Sequence, residues 1–175
     1  MADIDLGSVA VQLTRPLHIS PWSEADRARQ AVRDYANLTL LNGLAALDWP
    51  GDPLTSQDDA PHLQRLESKL DFGLQLLAQL LDNQTTLPPH HTVWLSAQAL
   101  AWRDPTPPPA DDLLLALFLD PRIPQALHLH GQLERQASDC WIARFRDIPD
   151  AVQDSLDRAV FRWHRRQLQT GGLRG

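Results

Sequence analysis

The chain has 175 residues, enough for one domain or for one domain carrying a large extension. With 43% hydrophobic and 22% charged residues it has the composition of a globular protein, and a formal net charge of −6 argues against a general nucleic-acid binder. Its longest apolar runs, of which 113–119 is typical, are too short to span a bilayer, so no membrane insertion is expected. The acidic start lacks the apolar core of a secretory leader, and the single cysteine, Cys140, cannot form an internal disulfide; both point to the cytoplasm.

In chain order, Val9, Val11 and Leu13 alternate and Leu17 and Ile19 follow Pro16, which predicts a strand over 8–20 that the proline confines to an edge or an interruption. Pro21-Trp22-Ser23 stops it, and Ser23 with Asp26 gives part of a capping box. From Glu24 to about Asp48 the spacing is helical, with Ala28, Ala31, Val32, Tyr35, Leu38, Leu41 and Leu44 as the apolar face. A second helix is predicted from Pro61 to about Asn83. Leu63, Leu66, Leu70, Gly73, Leu77 and Leu80 form a heptad series, and Leu70, Leu74, Leu77 and Leu81 form a second stripe beside it. That surface is wider than one neighbouring helix can cover.

After Leu87-Pro88-Pro89 the period changes to two. Strands are predicted at 92–96, 99–103, 112–119, 127–135 and 140–146, followed by a helix over 149–169 with Val152, Leu156, Ala159, Val160, Trp163 and Leu168 on its face. Short strands, tight turns and no βαβ alternation give an α+β chain with a small antiparallel barrel or meander. No acidic residue follows Asp157, while Arg158, Arg162, Arg165, Arg166 and Arg174 do. The plainer reading is a cationic helix end facing the negative pole of its own dipole; the sharper one is a docking patch for an anion or a partner.

Catalytic chemistry finds no support. Ser96 lies in no Gly-x-Ser-x-Gly elbow, there is no glycine-rich phosphate loop, and Cys140 reads as a small buried filler. His128 and His130 project from one face of a strand, and His90 and His91 could supply further ligands, but no HExxH, Cys-x-x-Cys or carboxylate partner at ligand spacing supports a metal site, and that face also carries Gln132 and Glu134 and reads as solvated. No enzyme, metal or cofactor is expected.

The runs TVWLSAQALAWR (92–103), LLLALFLD (113–120), LHLHGQLERQ (127–136) and CWIARFRDIPDAVQDSLDRAVFRWHRR (140–166) resemble a PilZ domain, a small β-barrel closed by a C-terminal helix. Many members of that family are receptors for cyclic di-GMP. The helical pair ahead of the barrel resembles the atypical, tetramer-forming branch found in xanthomonads. The resemblance implies an assembly region over 1–89 and a PilZ-like barrel with its closing helix over 90–170. It implies Leu63, Leu66, Leu70, Leu74, Leu77 and Leu81 as the oligomer interface. It also implies where a nucleotide would bind. The Asp/Asn-x-Ser-x-x-Gly signature falls on Trp94, Ser96 and Ala99, of which only the serine matches. Arg-x-x-x-Arg spacing occurs at Arg29 and Arg33, inside a predicted helix. Tryptophan cannot accept the hydrogen bonds that a carboxylate or amide would, and alanine lacks glycine's freedom at positive φ. The expected function is therefore a PilZ-type adaptor in cyclic di-GMP-related control of motility, pili or virulence. It would form a homo-oligomer, in the likeness of the branch a tetramer, with an unnamed signalling partner and no bound nucleotide. The alternative is a cyclic di-GMP receptor with substituted contacts.

Overall fold

The structure is a computed structural model and describes residues 6, 8–47, 66–74, 77, 87–120, 123, 125–135 and 140–171. Strand β1 (Ala10–Pro21) is followed by helices α1 (Glu24–Ala28) and α2 (Gln30–Leu47). Helical residues at 66–74 and 77 come next. Strands β2 (His90–Ser96), β3 (Ala99–Arg103), β4 (Asp112–Leu117), β5 (Leu127–Arg135) and β6 (Cys140–Phe145) follow, and helix α3 (Asp150–Gly171) closes the chain. The strands form a closed antiparallel barrel in the order β1-β2-β3-β6-β5-β4.

A closed barrel has no edge on which to place Pro16, and the proline sits at an interruption. Ala10–Pro16 pair with β2, whereas Leu17–Pro21 pair with β4. The missing proline N–H falls at the point where the strand changes neighbours, so one long strand closes the barrel from both sides. Inward residues of all six strands, among them Val11, Val93, Leu100, Trp102, Leu115, Leu129 and Ala143, form the core. Gly131 lies where a β-carbon would come within 3.0 Å of Ala143 Cβ and of Leu115 Cδ1, so a side chain there would crowd the barrel interior.

Helix α3 lays Val152, Leu156, Ala159 and Val160 on the same core, with Trp163 packed at its margin, while Phe161 stays half exposed and Leu168, expected on the packed face, is exposed near the helix end. Ser23 and Asp26 complete a reciprocal capping box at the start of α1. The single helix expected over 24–48 is interrupted at Arg29, whose backbone (φ −96°, ψ 0°) is not helical. The face expected for it also needs correction. Val32 is 72% and Tyr35 66% exposed, and the buried positions of α2 are Asn37, Leu40, Leu41, Gly43, Leu44 and Ala46. The reason is Asn37. Its amide Nδ2 donates to the His128 carbonyl at 2.6 Å, and its Oδ1 accepts from the His128 N–H at 2.9 Å. A polar side chain thereby faces the barrel and turns the helix away from the hydropathy pattern.

Candidate functional site

The β2–β3 corner carries the positions where the family's nucleotide signature falls. Ser96 is fully buried and locks the turn. Its Oγ accepts from the N–H groups of Gln98 (3.2 Å) and Ala99 (3.0 Å), and the hydroxyl lies 3.2 Å from the Ala99 carbonyl. The serine is thus occupied by its own backbone. On the outer surface of the barrel beside it, Ala99, Ala101 and Ile142 form an apolar shelf, and Leu6 lies on that shelf with 2% exposure. Trp94 packs against the same cluster, and the Arg103 guanidinium stands 5.7 Å from its ring centroid. The corner therefore offers a covered apolar face where a carboxylate or amide acceptor would otherwise stand.

Arg29 and Arg33 are not brought together over this corner. Arg29 is exposed at the end of α1. Arg33 donates from Nη2 to Asp26 Oδ1 at 2.7 Å and stands 6.0 Å from the centroid of Trp22. The Ser23 hydroxyl, and after it Arg33, hold the Asp26 carboxyl down to about 2. Trp22 in turn stacks on His130, with ring centroids 4.2 Å apart and planes 12° from parallel. His130 Nε2 lies 3.6 Å from Asp112 Oδ1, and its Nδ1 lies 3.4 Å from Asp147 Oδ2.

The face expected to be solvated is covered at His128 and His130, because α2 lies on it through Asn37 and Trp22 stacks on His130, while Gln132 and Glu134 on the same face are exposed. The His130 side chain is only 9% exposed, and burial, with the Arg33 charge second, pushes His128 below its ordinary value. Among the described residues no group of three or more His, Cys, Asp or Glu side chains is placed to hold a metal.

Between the corner and the start of α3 lies a groove of about 370 Å³, bordered by Gln98, Arg144, Arg146, Asp147, Ile148 and Gln153 among others. Asp147 has φ 54°, a left-handed conformation that aspartate tolerates better than most residues, and its carbonyl accepts from Gln30 Nε2 at 2.7 Å. Arg146 and Ile148 border both this groove and the small cavity beside Arg33 and Trp22. Arg144 is held by Glu134 at 2.9 Å, and Arg146 donates to Gln132. Nothing in the periodicity marks Arg144, Arg146 or Leu6. Trp22 is visible in the sequence only as part of the stop after β1.

The remaining surface of note lies on the second helix. Phe72 is buried against α2 at Gly43, while Leu66, Leu70, Leu74 and Leu77 are each at least half exposed. At 100° per residue the four leucines fall on the side of the helix away from Phe72. Leu63 and Leu81 of the expected interface lie outside the described residues.

Among the described residues no helix is long and apolar enough to cross a membrane. No curated protein matches the chain. A solved structure from Xanthomonas campestris, a pathogenic protein described as a tetrameric PilZ domain self-assembled through an unusual helical bundle, aligns with a TM-score of 0.65. It is 24% identical, and the alignment covers 94% of this chain and 93% of that one, a likeness of fold. The family model described as "Atypical PilZ domain, cyclic di-GMP receptor" matches residues 38–172. With that span matched, and with a barrel closed by one strand and capped by a C-terminal helix, the chain belongs to the atypical PilZ domain family.

Proposed function

We propose that this protein is a cytoplasmic, non-catalytic PilZ-type adaptor in cyclic di-GMP-related regulation. In this reading it assembles through the helix spanning about 61–83, and the nucleotide does not occupy its corner. The observation that carries the assembly is the exposed row Leu66, Leu70, Leu74 and Leu77 on a helix already docked by its other side. Soluble monomers seldom leave such a contiguous apolar face in water. Heptad spacing with wide leucine stripes suits assemblies larger than a dimer, and the Xanthomonas protein is described as a tetramer. The exposed Val32 and Tyr35 of α2 extend the apolar surface available to a bundle.

Sedimentation tests this reading. Leu70 and Leu77 are exposed within one copy, so Leu70→Asp with Leu77→Asp should leave the fold intact and turn an oligomer into folded monomers. A wild-type chain that already sediments as a monomer at micromolar concentration would refute it.

The covered corner supports the absence of nucleotide. Trp94 and Ala99 stand where acceptor and glycine are needed, Leu6 lies over the shelf, and Arg33 is engaged by Asp26. Calorimetric titration with cyclic di-GMP should give no heat of binding. Micromolar or tighter affinity would favour the second reading, a receptor with substituted contacts, for which the groove beside Arg144 and Arg146 is the specific support.

A further inference from the structure

The arginines that follow Asp157 do not serve the helix dipole. Helix α3 runs to Gly171 and its last turn contains no basic residue, whereas the dipole's influence fades within that turn. Two of them belong to a pattern on the outer face of the helix. Ala151, Asp154, Arg158, Phe161, Arg165 and Leu168 follow one another at alternating steps of three and four residues, and all six are exposed, Phe161 by 52% and Leu168 by 64%. At 100° per residue they fall within one arc of about 100°. That arc lies opposite the buried face of Val152, Leu156, Ala159 and Val160. Steps of three and four are the spacing of a helix–helix seam, and here the seam is turned away from its own barrel.

The side chains along this stripe complement the same stripe read backwards. Laid antiparallel on a second copy, Ala151 meets Leu168, Asp154 meets Arg165 and Arg158 meets Phe161. Each layer is then matched: apolar on apolar, acid on base, guanidinium on an aromatic ring. A two-fold axis repeats the three pairings on its other side. Asp150 and Asp157, at the borders of the arc, stand in an acidic half that faces the basic half of the other copy. The parallel arrangement sets Asp154, Arg158 and Arg165 each against its own counterpart, three contacts between like charges. Arg158 also donates to Ser155 Oγ at 3.1 Å, which steadies it beside the stripe.

We infer that this stripe is a contact between two copies of the chain, in which α3 packs antiparallel on α3. The reversed order of charges selects the occupant, because a second copy carries the matching order. Each barrel lies on the far side of its own helix and leaves the stripe clear. The seam is about 26 Å long and holds two large apolar residues per copy, which places it among weak contacts, with a dissociation constant on the order of 0.1–1 mM. It is separate from the leucine row of the second helix and does not depend on it. Where that row already gathers several copies, paired stripes would reinforce one another.

The test is equilibrium sedimentation of the chain carrying Leu70→Asp and Leu77→Asp, which removes the leucine seam, at concentrations up to on the order of 1 mM. A reversible dimer is expected. Asp154→Arg alone, or Arg165→Asp alone, should weaken it on the order of tenfold, since the two-fold axis counts each like-charge contact twice. The two changes together should restore it to within about threefold, because the exchanged charges meet again. Phe161→Arg, which sets arginine against Arg158, should abolish it. All these positions are exposed, and circular dichroism checks that each variant is folded. No dimer at the highest concentration would overturn the inference. So would a dimer indifferent to the single reversals, or a double reversal that fails to recover. The leucine seam is scored separately, with the wild-type chain at micromolar concentration, where this contact is too weak to show.

Discussion

Gly43→Ala is a one-carbon change whose sign should depend on a residue far along the chain. A β-carbon at Gly43 would lie 2.7 Å from Phe72 Cδ2 and 2.8 Å from Phe72 Cβ, inside any real contact distance, and Phe72 is 3% exposed. If the ring stays, overpacking costs about 1–3 kcal/mol. If it swings into water, about 1.5–3 kcal/mol of burial is lost. Alanine recovers about 1 kcal/mol over glycine inside a helix. The net expectation is a destabilisation of about 0–2 kcal/mol by the same figures. In a Phe72→Gly background the whole side chain is gone, its β-carbon included, and Gly43→Ala should stabilise by about 1 kcal/mol. Urea unfolding followed by circular dichroism, at one fixed protein concentration, measures both pairs. If Gly43→Ala has the same sign in the two backgrounds, the close approach of these helices has been misjudged.

Asn37→Leu strands the N–H and carbonyl of His128 without their side-chain partners and should cost about 2–5 kcal/mol by the same urea titration; a loss under about 0.5 kcal/mol would show that other groups satisfy them. His128 is held below its ordinary value by burial, so the unfolded chain takes the proton first and stability falls as pH drops below about 6.5. His128→Gln should flatten the urea midpoint between about pH 8 and 5, and an unchanged slope would refute that origin.

The barrel was legible because residues 127–135 alternate cleanly, because the short apolar run 113–117 fits a strand buried on both faces, and because Pro88-Pro89 and Pro105–Pro109 punctuate the strands. The long first strand was readable apart from its change of neighbour. Hydropathy spacing cannot say that Ala10–Pro16 face β2 and Leu17–Pro21 face β4. The first helix was misread because periodicity counts Val32 and Tyr35 as buried and Asn37 as exposed, while a carboxamide that bonds a strand backbone on both its atoms reverses that ranking. The histidine face was misread for a related reason: alternation on β5 reports which residues point outward, not that Trp22 will stack on His130. At the corner, the substitutions at Trp94 and Ala99 were plain in the sequence. The covering leucine was not, since a single apolar residue ahead of a strand has no period.

The path of β1 bears on how this molecule forms and how freely it can vary. The strand is complete at Pro21, yet its partners are residues 90–96 and 113–117, so the helical pair is looped out between the first strand of the barrel and the second. During synthesis the first strand must wait for most of the chain, and closure depends on contacts of high sequence separation, which favours slow folding. The entropic cost of such a loop rises only with the logarithm of its length, about 0.6 kcal/mol for each doubling. The excursion between Pro21 and His90 can therefore lengthen or shorten at little expense to the barrel, leaving the leucine-bearing helix free to change in reach while the sheet that carries it stays the same.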